Sequence, residues 1–212
     1  MFKEGMLQVL GVGIYETLYM TLISTLMSYV IGLPLGLALV STDKEGHFII
    51  PFFNIKIPII WFNKLLGFVV NVLRSVPFLI LLIAVMPVTR AIVGTTIGSK
   101  ATIVPLVIAA APFIARMVEP SLKEVDRGVI EAAESMGASP FQIMFKVLLP
   151  EAKPSLLVGA AISITTILGY SAMAGIVGGG GLGAIAMNYG YYRYQQDIMF
   201  ITVILLVVIV QI

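Results

Sequence analysis

The chain has no cysteine, one histidine and one tryptophan, and only 11% of its 212 residues are charged. Without cysteine it has no disulfide, no thiolate metal ligand and no cysteine nucleophile, while the redox compartment stays open. The lone histidine, His47, stands among charged neighbours with no second histidine to share a metal, so it receives no ligand role. A soluble domain carries about 25% charged residues, and this chain falls well short of that. In place of charge there is hydrocarbon: 59% of the residues are hydrophobic and the mean hydropathy is +1.04. The composition is that of a membrane protein. A net charge of +2 is too small to imply a nucleic-acid partner.

The N-terminus offers only Lys3, offset by Glu4. Its first apolar run is longer than a signal-peptide core and lacks an A-x-A site, so it reads as a permanent anchor. A bilayer core needs about 20 apolar residues per helix. Candidate spans are 14–40, a second between 57 and 87, 101–115, 155–173 and 198–212. The expected fold is therefore all-α, a polytopic membrane protein with five transmembrane helices in a single domain, 1–212. With the N-terminus outside, the cytoplasmic segments collect Lys44, Lys56, Lys64, Arg116, Lys123, Arg127, Lys146 and Lys153, against Lys3, Arg90, Lys100 and Arg193 outside. That imbalance favours N-out and C-in. Arg74 is placed at the cytoplasmic mouth of a second span starting near Ser75, where its charge can snorkel.

Residues 119–150 then form the longest internal polar connection, on the cytoplasmic side. Glu124 to Met136 places Val125, Val129, Ala133 and Met136 on one helical face, and Gly137 supplies a stop. Ser139-Pro140-Phe141-Gln142 has the pattern of a capping box with proline at the first helical position. The second helix carries Phe141, Met144, Phe145 and Leu148 on one side, and Pro150 closes it. Such a helix–turn–helix fits either an interfacial element beneath its own membrane helices or a knob for a soluble partner. Spacing alone does not separate the two.

Glu131-Ala132-Ala133, Gly137, and the ending Val147, Leu149, Pro150 resemble the EAA loop of ABC importer permeases. In that family the loop is the coupling helix, seated in a cleft of an ATP-hydrolysing subunit. The resemblance implies ATPase-coupling roles for Glu131, Ala132, Ala133, Gly137, Ala138, Ser139, Pro140 and Phe141. Further stretches are similar to the methionine-importer branch: NVLRSVPFLI from Asn71, IVGTTIG from Ile92, APFIARMVE from Ala111, GYSAMA from Gly169 and GGGGLG from Gly178. Two flanks depart from the family pattern. Lys44 to Asn63 is longer and more apolar than the usual first cytoplasmic loop, and the polar tail expected after Gln211 is missing.

Polar residues within apolar spans are the first place to seek a solute path. Ser155, Gly159, Ser163, Thr166, Tyr170 and Met173 recur every three or four residues on one face of the fourth span. Small and hydroxylated residues at that spacing serve helix packing or line a pore, and a dimer with a central path allows both. Similarity to the methionine branch makes Met173 the candidate apolar gate, with Ser163, Thr166 and Tyr170 along the path. A second stripe, Thr17, Thr21, Ser24, Ser28, Gly32 and Gly36, argues for close helix contact on the first span, which Pro34 is expected to kink or end. Glu16 and Asp197 are assigned structural roles as acids near helix N-termini.

The glycine run 178–183 follows a membrane helix, so it is read as a tight turn where backbones pass closely, not a dinucleotide site. GTTIGSK at 94–100 departs from the P-loop pattern, because its lysine does not directly follow the second glycine. No catalytic, cofactor or metal residue is assigned to this chain. The resemblance implies that ATP and Mg²⁺ bind a partner, and that the permease works in a bacterial inner membrane as a homodimer with two ATPase subunits and an extracytoplasmic methionine-binding protein. The alternatives are a permease for another small amino acid or solute, and an ion-gradient-driven transporter. The latter wants paired intramembrane ionisable groups that the spans do not offer. An intramembrane enzyme would need a nucleophile, carboxylate pair or metal cluster within the bilayer, and none is found.

Overall fold

The computed structural model describes residues 5–43 and 59–211. His47, Lys56 and most of the atypical loop from Lys44 lie outside the described residues, as do Lys3 and Glu4. Every regular element among the described residues is helical. The main ones are α1 (Met6–Ser41), α2 (Ile59–Ser75), α3 (Phe78–Ala84), α4 (Met86–Val93), α5 (Ser99–Lys123), α6 (Arg127–Ser135), α7 (Pro140–Ile143), α8 (Leu149–Glu151), α9 (Lys153–Ala174), α10 (Gly181–Ile185) and α11 (Gln196–Gln211). Among them, α1, α5 and the stretch from α9 to Tyr191 are long and apolar enough to cross a bilayer. A fourth span results if α2 and α3 count as one element, although the chain turns by 104° between them. The apolar α11 is shorter, at 16 residues.

Local chemistry explains most of these boundaries. The break after Ser75 falls at Val76-Pro77, where the proline ring disfavours helix in the residue before it and Pro77 becomes the extended N-cap of α3. Pro34, by contrast, does not end α1, which continues to Ser41. α4 ends on Gly94 in the left-handed region, φ +82°.

The chain forms two compact units. The first comprises Met1–Ser28, Val76–Ala110 and Ser163–Ile212. Its core holds Met20, Phe78, Leu82, Leu106 and Ile167, with a second cluster of Leu10, Leu182, Ile185 and Ile198. The second comprises Tyr29–Ser75 and Ala111–Ile162. Here Leu37, Ile114, Val118 and Leu122 pack with Ala133, Ile143, Met144 and Leu148. Within this unit the small-residue stripe of α1 does what its spacing suggested. A Cβ on Gly32 would stand 2.7 Å from the Ala111 carbonyl oxygen, and one on Gly36 would stand 2.7 Å from Val118, so both glycines admit α5 at close range.

Candidate functional site

The second unit contains the helix–turn–helix. α6 starts at Arg127, three residues later than the apolar periodicity suggested, because α5 runs on to Lys123 and Asp126 takes the N-cap position. The Asp126 carboxylate accepts the Gly128 N–H at 2.6 Å. α6 closes on Gly137, φ +78°. There the Gly137 amide donates to the Glu134 carbonyl at 2.9 Å, and the Ala138 amide donates to the Ala133 carbonyl at 3.1 Å. This paired closure satisfies carbonyls that the helix end would otherwise orphan. The capping box is present. Ser139 Oγ accepts the Gln142 N–H at 3.3 Å, and Gln142 Oε1 accepts the Ser139 N–H at 2.8 Å.

The expected single ridge splits in two. Met144 and Leu148 are buried with Ile143, whereas Phe141 is 57% and Phe145 45% exposed. A π-helical turn, Met144–Leu148, contains members of both sets, and the helical path continues through Pro150 within α8 instead of closing there. The Phe141 and Phe145 rings lie 4.4 Å apart. Met136 is 81% exposed. Of the EAA triplet only Ala133 is buried; Glu131 and Ala132 face outward, as do Gly137 and Ser139, while Ala138 and Pro140 are half-buried. The hairpin thus anchors one side in the core and leaves an apolar knob flanked by a carboxylate.

The same unit contains an ion network whose pairs within α5 have helical i,i+3 and i,i+4 spacing, while its links to Asp43, Asn71 and Gly67 had no signal in the sequence. Arg116 bonds Glu119 at 2.6 Å, Asn71 Oδ1 at 3.1 Å and the Gly67 carbonyl at 3.3 Å. Lys123 bonds Asp43 at 2.6 Å and Glu119 at 3.0 Å. It joins α5 to α2 and to the end of α1 inside this unit. Arg74 lies in the last turn of α2, with its guanidinium 6.0 Å from the Phe113 ring.

The first unit contains the four path candidates, and they do not share one environment. Ser163 is fully buried. Thr166 is half-buried, and Tyr170 stacks on Phe78 with ring centroids 4.6 Å apart. Met173 is 46% exposed. Gly169 and Thr165 are exposed one and two turns before it. The spacing 165, 169, 173 carried the signal for this open face, which the chosen stripe missed by one residue. Beyond α9 the glycine turn is close-packed: a Cβ on Gly183 would overlap the Ala172 carbonyl oxygen, and one on Gly175 would overlap the Ala184 nitrogen. Glu16 does not cap its own helix, as its position in sequence suggested. It accepts the Gly181 N–H at 2.7 Å.

Comparison with known proteins places this arrangement. The family described as binding-protein-dependent transport system inner membrane component matches residues 58–212. The "Probable D-methionine transport system permease protein MetI" of Vibrio cholerae is 52% identical over 198 residues, covering 93% of this chain and 84% of that protein. The methionine import system permease protein MetP of Bacillus subtilis is 46% identical, covering 92% and 84%. A solved structure titled "Inward facing conformations of the MetNI methionine ABC transporter" superposes with a TM-score of 0.91 at 47% identity, covering 99% of this chain and 93% of that one. With its hairpin, its several apolar helices and these likenesses, the chain belongs to the family of inner-membrane components of binding-protein-dependent transport systems.

Proposed function

We propose that the chain is the permease subunit of an ATP-driven methionine importer. It crosses the membrane five times, N-out and C-in, and pairs with a second copy to enclose the path. Two ATPase subunits bind ATP and Mg²⁺ below, and a methionine-binding protein delivers solute from outside. The observation that carries this reading is the hairpin: a doubly capped elbow, rooted by Ala133, Ile143, Met144 and Leu148, that leaves Phe141, Phe145 and Met136 without cover in the chain. Exposed aromatic and methionine side chains on a rigid element fit the anchor of a helix-in-groove contact. The names of the relatives support methionine as solute.

ATP-driven closure of the partner subunits would displace the hairpin. α9 starts two residues after α8 ends and carries Met173 in its last turn, so it supplies a continuous connection to the gate. Met173 would close the path while the cavity faces inward, and Thr165 and Gly169 would line it on the open face of α9. ATP hydrolysis would then be the partner's chemistry.

The test is methionine uptake by vesicles containing the permease, its ATPase and its binding protein. Gly137→Pro forces a φ near −65° where the chain holds +78°, and Phe141→Ala removes the knob while leaving the caps intact. Both variants should insert, and ATP-dependent uptake should fall at least about tenfold, the loss of a typical anchor residue. Unchanged uptake in Phe141→Ala and Gly137→Pro would refute coupling through the hairpin.

A further inference from the structure

Met173 is fixed by its neighbours while its own side chain stays open. Ala172 lies under Gly183, whose missing Cβ leaves room for the contact, and the Gly179 amide donates to the Ala174 carbonyl at 2.9 Å. The glycine turn that clasps these two residues is in turn held from two other elements. Gly98 donates its amide to the Gly178 carbonyl at 2.9 Å, and the Thr102 hydroxyl donates to the Gly179 carbonyl at 3.1 Å. From α1, Glu16 Oε2 accepts the Gly181 N–H at 2.7 Å, and Thr17 Oγ accepts the Leu182 N–H at 2.8 Å. Thr17 is itself oriented, because its hydroxyl hydrogen goes to the Gly13 carbonyl at 2.8 Å.

The turn is shaped to receive those oxygens. Gly180 and Gly181 have φ of +82° and +71°. A Cβ on the first would stand 2.8 Å from Glu16 Oε2, and on the second 2.7 Å from Thr17 Oγ. A carboxylate in an apolar span is costly, and close packing alone would be served by a small neutral side chain. A carboxylate becomes favourable at the unpaired amides that open the helical run 181–191, where an acceptor and negative charge are both wanted.

We propose that Glu16 and Thr17 are the positioning pair for the gate. By holding the first two amides of α10 they fix the glycine turn, and through Ala172 and Ala174 they aim Met173. This rests on the permease reading of Met173, and the test separates the two claims. Since the chain has no cysteine, Met173→Cys gives the permease a single thiol, and its reaction with a hydrophilic maleimide in the assembled transporter in detergent is read as the rate of labelling of the permease chain alone. Glu16→Ala and Thr17→Val should each raise that rate about tenfold, the scale of one hydrogen bond to a charged or oriented acceptor. Glu16→Gln should fall between wild type and Glu16→Ala, because its side-chain carbonyl can accept the same N–H but carries no charge.

An unaltered rate in Glu16→Ala, or a Gln variant as fast as the Ala variant, overturns the proposal. The conservative variant guards against general loosening, which would not be rescued by restoring an acceptor. Uptake is read on a parallel preparation carrying native Met173. If that preparation fails to take up methionine while the labelling contrast holds, the solute assignment falls and the positioning pair stands.

Discussion

A hydrogen atom is all that Gly183 presents to the Ala172 carbonyl, and a methyl there would overlap the oxygen. The obstacle is backbone on both sides, so relief requires the turn to move. Gly183→Ala should lower stability by roughly 1–3 kcal/mol, the usual cost of overpacking, seen as a lower melting temperature of the purified protein. Gly169 is the control: it lies within α9 with nothing within 4 Å of a built Cβ. Gly169→Ala should raise stability by up to about 1 kcal/mol through helix propensity. If both substitutions shift the melting temperature equally, the close approach at Gly183 is not what demands glycine there.

The elements differ in how much of their form the sequence discloses. The elbow at 137–142 was legible because its determinants are neighbours: a glycine for the left-handed residue, then serine, proline and glutamine at fixed offsets. Removing the cap with Ser139→Ala should cost about 1 kcal/mol, read as a lower midpoint of thermal unfolding, with Ser139→Asp close to wild type. The split of the apolar ridge was not legible. Ordinary helical spacing groups Phe141 with Met144, Phe145 and Leu148, whereas the residues that cover only some of them, Leu37, Ile114, Val118 and Leu122, lie far along the chain. Glu16 illustrates the same limit, since its partner is 165 residues away. The bend at Val76-Pro77 lies between, with its proline plain in the sequence but not the size of its turn.

At the scale of the molecule, exposed large hydrophobic side chains outnumber buried hydrophobic ones among the described residues. Leu22, Leu26 and Val30 on α1 and Phe200, Ile204 and Val207 on α11 stay exposed at helical spacing, as expected where lipid or another membrane helix covers them. The proposed orientation follows the excess of lysine and arginine in the segments read as cytoplasmic. Glu131→Cys in this cysteine-free chain should therefore react with an impermeant maleimide in inside-out vesicles and not in right-side-out ones. The opposite pattern would overturn both the topology and the coupling role of the hairpin.

Four bonds close the elbow between α6 and α7: Gly137 to Glu134, Ala138 to Ala133, and the reciprocal pair of Ser139 and Gln142. A joint tied that often behaves as a tappet and not as a spring. On the coupling proposed above, pressure on Phe141 would pass across the elbow into α6 with little of the movement lost to bending at this joint.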